Sequence, residues 1–311
     1  MTYRTFEAQA KLFLEESMNR KRNPVKPATY ATWQYALAKW MYPHFKDAQL
    51  ATVTNASVRS FVEKLYRAGL SAQTINNYVG IVKLIVASAI DENGEPEFPR
   101  KWNSTYIDLP VISMQRRPAF TIEAMSSIVQ AATGREKMLY ALLSGSGLRI
   151  GEALGLEAKH VSPDGKIISV EQSVFAGKIQ TPKTRAAYRQ VDLCNELAGL
   201  LREFIGKRSG LVFVNSQGNP LTQTNILRRK LHPLLKQLKV EKQGFHGTRR
   251  LRLTWLRKNH TPDDLIRLWL GHSSSAIGDR YSKLSEDLVF RQEVAEKVGL
   301  GFVVNKQLVG V

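Results

Sequence analysis

Four short stretches and one tyrosine carry residue types that phosphate chemistry uses. Ser144-Gly145-Ser146-Gly147-Leu148-Arg149 places an arginine just after a glycine-rich turn, with Glu152 one helical turn further on. Backbone amides at such a turn, together with a guanidinium, can hold a phosphate. It is not a P-loop, since the spacing and the Lys-Ser/Thr ending are missing, and alone it reads as a helix-connecting turn with a surface arginine. Thr181-Pro182-Lys183-Thr184-Arg185 sets Lys183 on a β-turn, where most lysines are simply solvated. Phe245-His246-Gly247-Thr248-Arg249-Arg250 opens a helix, and His246 and Arg249, three apart, share a face of it. Leu270-Gly271-His272 ends nine residues before Tyr281, a tyrosine that alone would more often be a packing residue.

Apolar periodicity marks out the elements that must hold these residues. Over 5–90 the pattern is helical: Phe6, Ala10, Phe13 and Leu14 recur on one face, then Val58, Phe61, Val62 and Leu65, then Ile75, Tyr78, Val79, Val82 and Ile85. Gly69 suits a helix C-terminus, Ser71 an N-cap, and Thr29 or Thr54 earlier caps. Asn93-Gly94 and the prolines at 96, 99, 110 and 118 break any helix across 91–118. Helical periodicity resumes at Thr121, strand-like stretches follow over 167–170, 188–193 and 211–214, and helices return after Thr222. Trp255, Trp269 and Leu270 fall at helical spacing among apolar neighbours and read as core. The expected fold is mainly α with a small antiparallel β-sheet (α+β). Its expected parts are a helical domain over 1–108, a linker over 109–118, a second domain over 119–284 and a tail over 285–311. The tail begins with a capped amphipathic helix and ends in an apolar Phe302-Val303-Val304, which needs burial somewhere.

Charge narrows the partner. The 45 Lys and Arg against 27 Asp and Glu leave a net charge of +18 and a pI near 10.0. The excess is +4 up to Pro110 and +14 after it, so it belongs to the motif-bearing region and not to a basic tail. Such a surplus implies a polyanion, nucleic acid or an acidic membrane surface. No apolar run approaches the roughly 18–20 residues of a membrane span, which favours nucleic acid. The single cysteine, Cys194, excludes an intrachain disulfide and a thiolate metal cluster. Lacking an apolar signal core in its first residues, the chain is expected in a reducing compartment, the cytoplasm, in association with the nucleoid.

Taken in order, Arg149, Lys183, His246-x-x-Arg249, Leu-Gly-His272 and Tyr281 resemble the active-site signature of the tyrosine recombinases. That family includes phage and transposon integrases and chromosome-dimer resolvases. Gly-Leu-Arg149-x-x-Glu152, the 23 residues from Arg249 to His272 and the Arg280-Tyr281 pair agree with it. Upstream, Lys26-Pro27-Ala28-Thr29-Tyr30 and the stretch from Leu70 to Tyr78 resemble the family's helical core-binding domain. The resemblance thus implies a core-DNA-binding domain followed by a tyrosine-recombinase catalytic domain. Arg250 stands where many relatives have a second histidine, and Gly247-Thr248 replaces a more usual Asp-Leu. With no room for an arm-binding domain before Thr5, a minimal two-domain recombinase is expected.

The implied chemistry is DNA strand cleavage and rejoining through a 3′-phosphotyrosine, with no cofactor and no metal. Arg149 and Arg249 would neutralise the phosphate, each gripping two oxygens. Tyr281 would be the nucleophile, His246 its base, Lys183 the acid for the 5′-oxygen, and His272 a hydrogen-bond donor to the phosphate. Glu152 would orient the site. Arg250, Arg252, Arg257 and Lys258 read as backbone-phosphate contacts or a solvated face. His246, His260 and His272 lack metal-ligand spacing. Expected partners are double-stranded DNA, further copies of the chain as a homotetramer on two sites, and accessory DNA-bending proteins; a membrane is not expected. Two other functions share these features: a type IB topoisomerase-like nicking and resealing enzyme, and a DNA-binding module that does not cleave. The tail, on the same resemblance, would dock on a neighbouring protomer.

Overall fold

The computed structural model describes residues 4–113, 118–181, 188–272, 283 and 286–305. Lys183, Tyr281 and Ser285, where the sequence pattern starts the tail helix, lie outside them. Contacts divide the chain into two compact units, Met1–Arg116 and Arg117–Val311.

The first unit is helical: α1 (Phe6–Asn19), α2 (Pro27–Ala36), α3 (Tyr42–Phe45), α4 (Asn55–Arg67), α5 (Ala72–Ala87) and α6 (Ser104–Ile107). The apolar repeats of the sequence face inward, with Phe45 tilted against Phe6 and edge-on to Phe61 at centroid distances of 5.2 and 5.1 Å. Ser71 caps α5 by accepting from Thr74 N at 3.3 Å, and the Thr54 N–H donates to Ser57 Oγ at 2.8 Å. Thr29 is not a cap. Pro27 holds the first position of α2, and the residue before a proline is driven to extended backbone, so Lys26 (ψ 146°) precedes the helix. A π-turn, Leu37–Met41, follows α2 and immediately precedes Tyr42-Pro43. Pro43 cannot donate an amide and crowds the carbonyl four residues back, which the widened turn relieves.

The second unit holds α7 (Ile122–Ala131), α8 (Gly134–Ser146), α9 (Ile150–Leu154), β1 (Ile167–Val170), β2 (Ser173–Phe175), β3 (Lys178–Gln180) and β4 (Arg189–Asp192). It continues with α10 (Asn195–Ile205), α11 (Gln223–Ile226), α12 (His232–Gln237), α13 (His246–Lys258), α14 (Asp263–Leu270) and α15 (Leu288–Val298). α8 is buried on every side from Lys137 onward, as expected of an apolar helix at a core's centre, and α7, α10 and α13 pack on it. A second π-turn, Leu227–Leu231, again precedes a proline dipeptide, His232-Pro233.

Among the described residues the β-structure is two antiparallel pairs, β1 with β4 and β2 with β3. The second pair is a hairpin closed by Ala176 and Gly177, both at positive φ, the backbone of a two-residue turn. Residues 211–214 make no ladder. Leu211 bridges Glu157 while Val214 bridges Pro220, so the two ends answer to different partners.

The tail is core of its own unit. Asp287 caps α15 by accepting from Phe290 N at 3.0 Å, and Ala295, Val298, Leu300, Phe302 and Val304 are buried in the second unit's apolar cluster. Trp255 Nε1 donates to Val298 O at 2.9 Å and Arg252 Nη1 to Gly299 O at 2.7 Å. Arg252, read from the sequence as a phosphate contact or solvated residue, is therefore buried under the tail. Glu296 accepts from the Asn195 N–H at 2.7 Å, capping α10, whose own preceding residue, Cys194, has no side-chain cap. Docking of this segment on a neighbouring protomer, expected from the resemblance, would require it to leave these contacts.

Candidate active site

Glycines bring the site's backbone together. α8 stops at Gly147, whose φ of +72° only glycine adopts readily, and a Cβ there would meet Leu270 Cδ2 at 2.5 Å. The ends of α8 and α14 can therefore approach. Two residues on, Arg149 is the extended residue that opens α9. Gly151 sets α9 against β2, since a Cβ at that position would lie 2.9 Å from Val174 O.

Arg149 donates from Nη1 to Glu152 Oε1 at 2.7 Å and from its backbone N–H to Oε2 at 2.8 Å. Its Nη2 reaches Gly271 O at 3.2 Å, so it also touches the turn that carries His272. Arg249, from the first turn of α13, is buried; it donates from Nη1 to Gly147 O at 2.7 Å and from Nη2 to Leu270 O. Burial, and then repulsion from Arg149, lower its pKa to about 10, which leaves it a cation at neutral pH. Both guanidiniums are thus anchored on the carbonyls that end α8 and α14, with glycine or leucine at each contact. Helix C-termini carry partial negative charge and suit cations.

His246 is the first residue of α13, and His272 follows the Gly271 that ends α14, its N–H donating to Arg267 O at 3.1 Å. Partial burial lowers the pKa of both, with further lowering from neighbouring arginines: Arg250, Arg249 and Arg149 for His246, and Arg249, Arg149, Arg189 and Arg257 for His272. Both imidazoles are therefore neutral at pH 7. A cavity of about 790 Å³ is lined by Arg149, Glu152, His246 and Arg249 together with Phe175 and Lys242. His272 does not line it and joins the group through the Gly271 carbonyl. Of the six expected residues, four are thus gathered from α9, α13 and the end of α14, while Lys183 and Tyr281 fall outside the described residues. Arg250 donates to Pro118 O. Among the described residues, no group of three His, Cys, Asp or Glu side chains could hold a metal ion.

Sequence reading did not find the residue that completes this cluster. Arg189, at the start of β4, is buried and donates from Nη1 and Nη2 to Glu152 Oε1 and Oε2 at 3.1 and 2.9 Å, and from Nε to Trp269 O at 2.8 Å. Burial opposes ionisation of Glu152, but hydrogen bonds and charge from Arg189, then Arg149, prevail and hold its carboxyl below the usual range. A signal was present: Arg189 and Val191 lie two apart in a strand and so share a face, which Val191 makes the buried one. Further along β4, Asp192 accepts from Trp269 Nε1 at 2.6 Å and from Arg291 Nε of α15 at 2.9 Å.

The family model described as the phage integrase family matches residues 119–287. A "Tyrosine recombinase XerC-like" protein of Caldanaerobacter subterraneus is 24% identical over 285 residues, spanning 81% of this chain and 73% of its own length. A "Tyrosine recombinase XerC" of Myxococcus xanthus is 25% identical over 247 residues, 76% of this chain and 79% of that protein. Among solved structures, the Tn1549 transposon integrase in complex with a circular intermediate DNA superposes with a TM-score of 0.71 at 17% identity, covering 89% of this chain and 98% of that one. A lambda integrase tetramer bound to a Holliday junction gives 0.62 at 15% identity, over 91% and 79%. At these identities the superpositions speak for the fold, mainly α with a small antiparallel sheet.

Proposed function

This chain belongs to the phage integrase family, and from that premise we propose how its residues divide the cutting and rejoining of DNA. It is a tyrosine recombinase, an enzyme of site-specific DNA recombination. The hydroxyl oxygen of Tyr281 attacks the scissile phosphorus and the bond to the 5′-oxygen breaks, leaving a 3′-phosphotyrosine. The tyrosine proton passes to His246, neutral and therefore able to accept it. The departing 5′-oxygen takes a proton from Lys183. Arg149 and Arg249 offset the charge that builds on the non-bridging oxygens, and His272 donates a hydrogen bond to the phosphate. Because one phosphodiester is exchanged for another, rejoining is the same step reversed.

The observation that carries this assignment is the convergence of Arg149, His246 and Arg249 on one cavity, with both arginines anchored on backbone carbonyls. Fixed cations of that kind act without reorganising during the reaction. We extend the proposal to a homotetramer on two DNA sites, assisted by DNA-bending proteins, acting on the nucleoid in the cytoplasm. Among the described residues, no helix is long and apolar enough to cross a membrane.

Supercoiled plasmid and a nicked duplex, both carrying the DNA that flanks the gene, test the assignment. The protein forms recombinants from the first and a covalent adduct with the second, and Tyr281→Phe gives neither while binding with unchanged affinity. Adduct from Tyr281→Phe would move the nucleophile elsewhere, and relaxation without recombinants would indicate a topoisomerase. Lys183→Ala slows cleavage by roughly 10²–10⁴-fold, the size of a general-acid effect, and a 5′-bridging sulfur, which leaves without a proton, restores it. Equal rescue of Arg149→Ala by that sulfur would remove Lys183 from the role.

A further inference from the structure

We propose that Arg189 is a positioning residue for strand cleavage: from behind the site it holds Arg149, through Glu152, and the His272 turn, through the end of α14. The inference rests on the reading of Arg149 as a phosphate ligand.

Arg189 cannot itself meet DNA, because its side chain is 2% exposed. Three of its N–H donors go to two places that both end at the site. Nη1 and Nη2 take both oxygens of Glu152, the carboxylate that also receives the backbone N–H and Nη1 of Arg149. Nε takes Trp269 O, two residues before Gly271. The guanidinium also lies flat against Gly271, where a Cβ would come within 2.9 Å of Nη1 and 3.0 Å of Cζ and Nε. One planar group therefore sets the distance between α9 and the turn that presents His272.

Charge explains why the group is an arginine. An Arg149–Glu152 pair alone is neutral, and a neutral pair does little for a phosphate. With Arg189 behind it the triad carries one net positive charge, and of its two cations only Arg149 reaches the cavity. Burying such a triad is costly, and apolar residues of equal volume often stabilise a fold as well or better. Holding the triad in place is therefore better explained by the geometry it imposes than by stability. The fork matters as well as the charge, since a lysine cannot occupy both carboxylate oxygens and a carbonyl in one plane.

Cleavage is measured with saturating protein on the nicked duplex carrying the DNA that flanks the gene. Arg189→Met should lower the rate of adduct formation by roughly 10²-fold, the scale of a misplaced transition-state donor, with DNA affinity unchanged. A methylphosphonate at the scissile position removes the charge that Arg149 neutralises. On that substrate Arg149→Ala and Arg189→Met should both run close to the parent protein, a recovery that a merely unfolded variant cannot show. If Arg189→Met does not fold, the same comparison is made with Arg189→Lys, which keeps the buried cation and loses only the fork. Recovery of Arg149→Ala without recovery of the Arg189 variant overturns the proposal. Failure of Arg149→Ala to recover overturns the phosphate role of Arg149 and the inference with it. A parent-like rate for the Arg189 variant on the ordinary phosphate also overturns it.

Discussion

In the first unit the side chains sealed from water are apolar, with Gln9 and Ser17 as polar exceptions among the described residues; the second seals in Lys137, Glu152, Arg189, Asp192, Arg249, Arg252 and Arg291. The helices of the first unit are held by area removed from water, which is tolerant of small shifts. The second unit has an apolar core as well, and adds ion pairs and carbonyl contacts that have one good geometry. Arg189 joins β4 to α9 and α14, and Asp192 joins β4 to α14 and α15. Under the proposed mechanism, groups that present two cations and two imidazoles to one phosphate need that exactness of placement.

The contrast is tested most severely at the tail. Truncation after Lys283 removes Val298, Leu300, Phe302 and Val304 from the second core, a loss of roughly 6–12 kcal/mol at the usual value per buried apolar side chain. That is comparable to the whole stability of a domain. Thermal unfolding followed by circular dichroism should show the second unit's transition gone; a truncated protein with an unchanged melt would return the tail to a role outside its own unit.

Arg291→Met strikes one tie. It leaves Asp192, fully buried, with an uncompensated charge and the Trp269 indole as a remaining partner, and should cost about 3–5 kcal/mol in urea unfolding. Adding Asp192→Asn should recover part of that loss. If the double variant is no better than the single, the charge is not what makes the site costly.

Ser17→Ala probes the other unit. Among the described residues the Ser17 Oγ is buried without a hydrogen-bond partner, so removing it should be neutral or stabilising by about 1 kcal/mol. Destabilisation by that amount would mean that the hydroxyl is satisfied.

The finest test reads electrostatics. His44 of the first unit has its pKa lowered first by burial, while His246 and His272 are lowered by burial and by the arginines of the site. By NMR titration, Arg149→Ala should raise His246 and His272 and leave His44 in place. The sign carries to activity. A base must be neutral, and lowering its pKa extends the neutral form to more acid pH, so cleavage should hold steady as pH falls through the ordinary histidine range and decline only below it. In Arg149→Ala the decline should begin at higher pH. A shift of His44 equal to the others would make the effect structural and not local.

The helices of the first unit were legible because their apolar repeats are local: Phe6 to Leu14 and Ile75 to Ile85 carry the period that burial demands, and the structure buries them. Arg149, His246, Arg249 and His272 were legible as an ordered set because each sits at a glycine turn or a helix end, and such positions have sequence signatures. The hairpin of β2 and β3 was not, since its strands are three residues each and its turn is Ala176-Gly177. The inward Arg252 was not, because a basic residue on a basic helix looks solvated until the tail covers it. Sequence by itself thus determined the mostly helical class, the strongly basic balance of charge and the ordered set of candidate residues. Only the tertiary structure decided that Arg189 stands behind Glu152 and that α15 closes over Asp192, because those pairs lie 37 and 99 residues apart and nothing in the local sequence encodes which distant charge a buried charge will meet.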